Sequence, residues 1–153
     1  MGLEARLERV ESREAIRELK HEYCYRLDDR DWEGVVDLFT PDASLDYGGL
    51  GSFEGHDGVR EFAEGFVAEH LDATAHAVQN GVLDVDGDAA TGRWYVTSWI
   101  TLADGTGGFR LGEYRERYRH GEDGWRIESL ELRFRYSVDH DEGWPNLETH
   151  EAF

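Results

Sequence analysis

Apolar residues follow two different periods along the chain, and the change falls near residue 72. In the first part they recur every three to four positions, which predicts amphipathic helices near residues 3–28, 32–39 and 57–70. Within residues 3–28 the helical phase of the apolar residues shifts at Ser12, a residue type that often caps the N-terminus of a helix. We therefore expect a short leader helix, followed by a main helix from about residue 13. Asp31 is predicted to cap the second helix and Pro41 to stop it.

Beyond residue 72 apolar and polar residues alternate, which predicts long strands joined by glycine-containing turns. The predicted strands span about 74–86, 89–102, 109–120 and 125–137, and a shorter strand at 43–47 precedes the third helix. This order predicts one α+β domain over residues 1–153, in which a curved antiparallel sheet wraps against three helices and encloses a conical pocket. Residues 139–153 are acidic but contain Trp144 and Phe153, so we expect a tail or a lid over the pocket.

Composition restricts the partners. The 153 residues include 34 acidic and 16 basic side chains, for a net charge of −18, and such a surface repels nucleic acid. Lys20 is the only lysine, so the other basic residues are arginines; this favours a protein of a high-salt cytoplasm over an acidic mesophile protein.

No segment suggests a membrane span or a secretory leader, and a cytoplasmic location is expected. Cys24 is the only cysteine and the histidines lack metal-ligand spacing, so neither a metal nor a cofactor is expected.

The corner between the first two helices supplies the candidate chemistry. Asp28 ends the main helix and can reach the pocket, while His76 lies among small apolar residues, an unusual place for an imidazole unless it points inward. We predict that Asp28 accepts a hydrogen bond from His76, whose other ring nitrogen acts as a general base. Tyr23 and Tyr47 would line the same cavity and stabilise an enolate. The alternative is a self-satisfied buried pair with core tyrosines, and the residues alone favour neither interpretation.

Further side chains are candidates for contact with substrate, namely Tyr114, Trp94, Phe39 and Arg133. Arg133 is the candidate for an acidic substrate group, although an ordinary ion pair is the favoured role for it. The preferred ligand is a small hydrophobic substrate.

Large side chains also lie at the outward positions of the predicted strands, among them Tyr95, Trp99 and Arg117. They exceed what a solvated surface requires, so we predict a homodimer formed through the outer face of the sheet.

An ordered set of motifs extends over nearly the whole chain: Arg13 to Tyr23, Leu27-Asp28, Asp31-Trp32, Leu38 to Asp42, Phe53 to His56, His76, Gly87 to Ala89, Thr91 to Tyr95, Gly112 to Tyr114 and Asp123 to Ile127. With this set the chain resembles the SnoaL-like group of the nuclear transport factor 2-like superfamily. Within that superfamily it is most similar to dehydratase-type members such as bile-acid 7α-dehydratase and scytalone dehydratase. The resemblance implies a cystatin-like cone and, as this fold commonly pairs sheet to sheet, a dimer.

The resemblance also implies roles for particular residues. The Asp–His dyad of these enzymes falls on Asp28 and His76, and their active-site tyrosines fall on Tyr23 and Tyr47. The implied activity is a cofactor-independent lyase acting on a small carbonyl compound; the alternatives are a ketosteroid-isomerase-like or polyketide-cyclase-like enzyme, or a non-catalytic binding or dimerisation module. A second active-site histidine and a Ser/Asn pair of the scytalone enzyme have no counterpart here, so scytalone itself is not the expected substrate.

Overall fold

The computed structural model describes residues 2–141. The helices are α1 (Leu3–Asp28), α2 (Trp32–Val36), α3 (Gly55–Arg60) and α4 (Ala68–His70), with a π-helical segment (Glu61–Val67) joining α3 to α4. The strands are β1 (Phe39–Asp46), β2 (Ser52–Glu54), β3 (Leu71–Asp86), β4 (Ala89–Leu102), β5 (Gly107–Gly121) and β6 (Gly124–His140). Helices precede a long meander, so the predicted α+β fold is confirmed; most of the proposed tail or lid, residues 142–153, lies outside the described residues.

Helix α1 is continuous, and the predicted break near Ser12 is wrong. Its second half buries Ile16, Leu19, Tyr23 and Leu27 against the sheet. Its first three turns are exposed, including the apolar residues Leu3 (81%), Leu7 (55%) and Val10 (63%). The phase shift in the sequence therefore marks the point where the helix gains a packing partner. No helix within residues 2–141 is long and apolar enough to span a membrane.

Helix α2 begins as predicted, with the Asp31 carboxylate accepting a hydrogen bond from the amide of Gly34 at 3.0 Å. It ends at Val36, three residues earlier than predicted, because Phe39 already belongs to β1 and pairs with Ile127 of β6. Pro41 lies inside this strand, where Pro is tolerated at an irregular pairing, and the register shifts between Phe39 and Ser44.

The six strands form one sheet in the order β2-β1-β6-β5-β4-β3. The four long strands are antiparallel neighbours, as predicted. β1, however, pairs with β6 in parallel, so the sheet is mixed where a wholly antiparallel one was predicted. Some 80 residues separate the paired ends of β1 and β6, and a connection of that length places no restriction on strand direction.

Two irregularities position the pocket. The predicted third helix is present between residues 55 and 70, but its centre is π-helical, a rare form found frequently at functional sites. In β3 a register shift falls between Gln79 and Val82, where Asn80 takes a left-handed conformation (φ 56°). This bulge reverses the phase of the strand, so that His76 before it and Leu83 after it both face the helices.

Candidate functional site

The carboxylate of Asp28 is held against β3 by three hydrogen bonds. Its Oδ1 lies 2.6 Å from Nδ1 of His76 and accepts a bond from the Thr74 hydroxyl at 2.8 Å. Its Oδ2 accepts a bond from the backbone amide of His76 at 2.8 Å. Thr74 and His76 are two residues apart on a strand, so both side chains face the end of α1. The arrangement fixes both the carboxylate and the imidazole ring.

These bonds decide the protonation of the pair. Partial burial by itself raises the pKa of Asp28, but the hydrogen bonds and charge of His76, with the Thr74 hydroxyl, outweigh it, so that pKa lies below its ordinary value. An ionised Asp28 requires a proton on Nδ1 of His76. Within residues 2–141 Nε2 of His76 has no hydrogen-bond partner, and the ring lines a cavity, so Nε2 is available to accept a proton.

That cavity has a volume of about 230 Å³ and lies between the sheet, the end of α1 and the π-helical segment. Its walls are mainly apolar, from side chains such as Phe62, Phe66, Ile100 and Leu132. A larger hollow of about 760 Å³ lies against the other face of the sheet, among charged side chains. An apolar pocket with a few converging polar groups is the usual form of a small-molecule site, so we assign the candidate site to the smaller cavity.

Three tyrosines form one polar end of the cavity. The hydroxyls of Tyr23 and Tyr47 lie 2.9 Å apart, and the ring of Tyr114 stands perpendicular to that of Tyr23 at 6.2 Å. Burial raises the pKa of Tyr23, Tyr47 and Tyr114 well above that of a free tyrosine. All three therefore stay protonated near neutral pH. Because one hydroxyl of the Tyr23–Tyr47 pair donates to the other, only one member of that pair keeps an O–H for an oxygen in the cavity.

A buried ion pair lies behind these rings. The ammonium of Lys20 is 2.6 Å from Oε1 of Glu116, and neither side chain is exposed to solvent. Nζ of Lys20 also lies 3.6 Å from the centre of the Tyr114 ring and 4.1 Å from that of Tyr23. The other oxygen of Glu116 accepts a hydrogen bond from the hydroxyl of Tyr118. The pair is thus fully bonded, and it holds two of the three tyrosine rings from the side away from the cavity.

Stacked aromatic rings line the adjoining wall. The ring of Phe62 stacks on Tyr47 at 3.8 Å and on Phe66 at 6.1 Å, and Phe66 stacks on His70 at 4.7 Å. The π-helical segment places Phe62 and Phe66 in this row. Because the faces of these rings are directed at one another, the wall offers mainly apolar ring edges to a ligand.

Three side chains predicted to bind substrate lie elsewhere in the fold, and those predictions are corrected. Phe39 is in the core behind Tyr23, with ring centres 6.0 Å apart. Trp94 packs on α1 and donates its indole N–H to the hydroxyl of Tyr118 at 2.9 Å. Arg133 faces outward because Leu132 and Phe134 take the inward positions of β6, and it pairs with Asp46 at 2.6 Å. The other candidates, Asp28, His76, Tyr23, Tyr47 and Tyr114, meet in or beside the cavity.

The sequence contained signals for the residues that we did not predict. Lys20 lies on the apolar stripe of α1 together with Ile16 and Tyr23, and Glu116 has the inward phase of Tyr114. Arg110 shares that phase as well, and it lines the cavity. A charged residue at an apolar phase was the signal in each case.

Two other kinds of chemistry have little basis in residues 2–141. Burial raises the pKa of the Cys24 thiol to about 11, which leaves it protonated and a poor nucleophile. This part of the chain contains no group of three or more His, Cys, Asp or Glu side chains that could hold a metal ion.

The SnoaL-like domain family matches residues 8–131, and the chain belongs to this family. A solved structure of a proposed aromatic ring hydroxylase from Novosphingobium aromaticivorans is 31% identical, with a TM-score of 0.80 over 86% of this chain and 94% of that one. Hexachlorocyclohexane dehydrochlorinase LinA-type3 from Novosphingobium barchaimii is 23% identical (TM-score 0.81, 88% and 93% covered). A proposed scytalone dehydratase from Novosphingobium aromaticivorans is 22% identical (TM-score 0.80, 93% and 97% covered). No curated protein matches the sequence. The fold is therefore the cystatin-like fold of the nuclear transport factor 2-like superfamily, as the resemblance implied.

Proposed function

We propose that this SnoaL-like protein is a cofactor-independent lyase that eliminates water from a small, hydrophobic β-hydroxycarbonyl compound. The observation that carries the proposal is the state of His76. One ring nitrogen lies 2.6 Å from a carboxylate, and the other is unbonded within the described part of the chain and faces an apolar cavity. A base oriented in this way is suited to remove a carbon-bound proton.

In the proposed reaction Nε2 of His76 removes the proton next to the substrate carbonyl. The pair of electrons moves onto the carbonyl oxygen, and Asp28 stabilises the imidazolium that forms. Tyr23, held by Tyr47, donates a hydrogen bond to the enolate oxygen. The enolate then expels the β-hydroxyl group, which takes the proton from His76 and leaves as water. Atoms and charge balance without a further reactant.

The test is a screen of β-hydroxyketones against three proteins: the wild type, His76→Ala and Asp28→Asn. Loss of the general base should lower the rate ~10²–10⁴-fold, and loss of the orienting carboxylate should cost a comparable factor through the wrong tautomer. Product analysis separates the two enolate reactions, because elimination yields an unsaturated ketone whereas an isomerase returns the proton to another carbon.

Melting of the same variants tests the alternative that the pair is structural. A structural pair broken on one side leaves an unpaired buried group and costs roughly 3–5 kcal/mol. A catalytic pair beside a cavity costs less, because water can replace the missing partner. Two destabilised variants, together with a folded wild type that turns over no carbonyl compound, would contradict the proposal and favour a binding or dimerisation module.

A further inference from the structure

Arg110 is a cationic side chain of the cavity with no part in the proposed reaction. It projects from β5 into the cavity, and 15% of its side chain is exposed. It pairs directly with Ser98 of β4, which in turn pairs with His76 of β3. Paired residues of antiparallel strands project to the same face, so the three side chains form one row across the cavity floor. Two strand spacings of ~4.8 Å place Arg110 about 10 Å from His76 at the backbone.

The guanidinium occupies a space that the backbone leaves for it. A Cβ built at Gly108, two residues earlier on β5, would lie 2.7 Å from Nη1 of Arg110 and 3.0 Å from Ile100. The absence of a side chain at Gly108 thus leaves space for the guanidinium, which leans along its strand towards Asp139.

Part of the guanidinium is bonded and part is available. Nη1 donates to the carbonyl oxygens of Phe109 (3.1 Å) and Val138 (2.9 Å), and Nη2 donates to Oδ1 of Asp139 at 2.6 Å. An arginine has five N–H groups, so within residues 2–141 the N–H of Nε and one on Nη2 are unused. These two adjacent nitrogens form the planar fork that binds a carboxylate with two hydrogen bonds.

We propose that Arg110 is an anion subsite of the cavity, and that the ligand is a one- or two-ring compound with a carboxylate about two strand spacings from the group that meets His76. The apolar side chains of Phe62 and Phe66 contact the rings, and the cavity of about 230 Å³ limits their number. Asp139 is half exposed and neutralises the arginine when the cavity is empty. This inference rests on the proposed function only in taking the cavity as the ligand site.

Binding of 2-naphthoate and 2-naphthol, measured by calorimetry at high salt, tests the subsite. The probes share one ring system, and only the first is an anion at neutral pH. The wild type should bind 2-naphthoate more tightly, and Arg110→Met should weaken its binding by about 10- to 100-fold while leaving 2-naphthol unchanged. Arg110→Lys keeps the charge without the fork and should recover only part of the loss.

Asp139→Asn provides a second test that leaves the arginine in place. Removal of the competing carboxylate should tighten 2-naphthoate binding, whereas a purely structural clamp between Arg110 and Asp139 predicts lower stability and no change in preference. Equal affinity for the two probes, or no binding of either, overturns the subsite. His76→Ala should still bind 2-naphthoate, so a failed elimination assay with Arg110-dependent binding would reject the reaction and retain the subsite.

Discussion

At the scale of single residues, the buried pair of Lys20 and Glu116 allows a cycle of substitutions with a distinctive expected result. Lys20→Met leaves the carboxylate of Glu116 buried without its counter-ion, which should cost about 3–5 kcal/mol of unfolding free energy. Lys20→Met with Glu116→Gln removes both charges and keeps an acceptor for Tyr118, so most of that loss should be recovered. Chemical denaturation of the two variants measures the difference.

The exposed pair of Arg60 and Glu33 is the matched control for this cycle. Its two contacts are 2.8 Å and 3.1 Å long, but both groups are solvated. Arg60→Met should therefore cost far less than Lys20→Met. Equal losses at the two sites would contradict the assignment of the buried pair as the costly one to break.

Sequence reasoning at this scale identified side chains whose direction follows from one element alone. Asp28 at the end of a stripe and His76 among small apolar residues were both recognisable, and the structure places them 2.6 Å apart. Arg110 was missed although its inward phase on β5 was a signal, because its importance depends on contacts of its guanidinium with Val138 and Asp139 of a second element, β6. Arg133 shows the opposite error: its outward phase was apparent, yet it was included among the substrate contacts.

At the scale of elements, the first three turns of α1 should be dispensable. Residues 2–11 are exposed, and Arg9 contacts the sheet through an ion pair with Asp84 at 3.1 Å. Deletion of residues 1–10 should change the melting temperature little, because the buried part of the helix begins at Ile16. Ile16→Ala should cost about 2–5 kcal/mol in the same assay.

A large loss from that deletion would show that the stripe of Leu3, Leu7 and Val10 is covered in solution. The oligomeric state of the truncated protein then shows whether these residues are covered by a second copy or by another part of the same chain. If the truncated protein is both less stable and in a different oligomeric state, the stripe belongs to an interface between copies.

Element boundaries show why period alone predicts a fold better than its details. The long strands were predicted within three residues at each end, since alternation persists over many positions. The second helix was predicted to continue to Phe39, because Val35, Val36 and Phe39 have the spacing of one helical face. The structure instead ends the helix at Val36 and begins β1 at Phe39. The parallel pairing of β1 with β6 has no local signal, because it depends on contacts about 80 residues apart.

At the scale of the whole molecule, the net charge of −18 should make stability depend on salt. Some surface arginines are paired with acidic groups, as with Arg119 and Asp42 at 3.1 Å, but acidic residues outnumber basic ones by 34 to 16. Screening of the remaining repulsion from about 0.1 M to about 1 M potassium chloride should raise the melting temperature. An equal ionic strength of sodium chloride is the control for a general screening effect, and an unchanged midpoint would count against a high-salt protein.

We expect two copies of the chain to associate through the outer face of the sheet. Tyr136 and Val138 pair with Leu111 and Phe109, the neighbours of the inward-facing Arg110, so they lie on the face away from the cavity. Tyr136 is 65% exposed and Val138 56%, and the ring of Phe109 packs edge-on against Trp99. A cluster of exposed apolar and aromatic side chains on the face of a broad sheet is typical of an interface between copies.

Val138→Asp should therefore convert the dimer to a monomer in sedimentation at high salt, because a carboxylate buried at an interface without a partner is strongly unfavourable. Tyr25→Asp is the matched control: Tyr25 is 68% exposed on α1, away from the sheet face, and its substitution should leave the dimer intact. The melting temperature of Val138→Asp should fall only by the stability that dimer formation contributes, because Val138 is not part of the core. A wild-type protein that sediments as a monomer at its working salt concentration would contradict this assembly, and it would leave the exposed residues of β6 without an assigned partner.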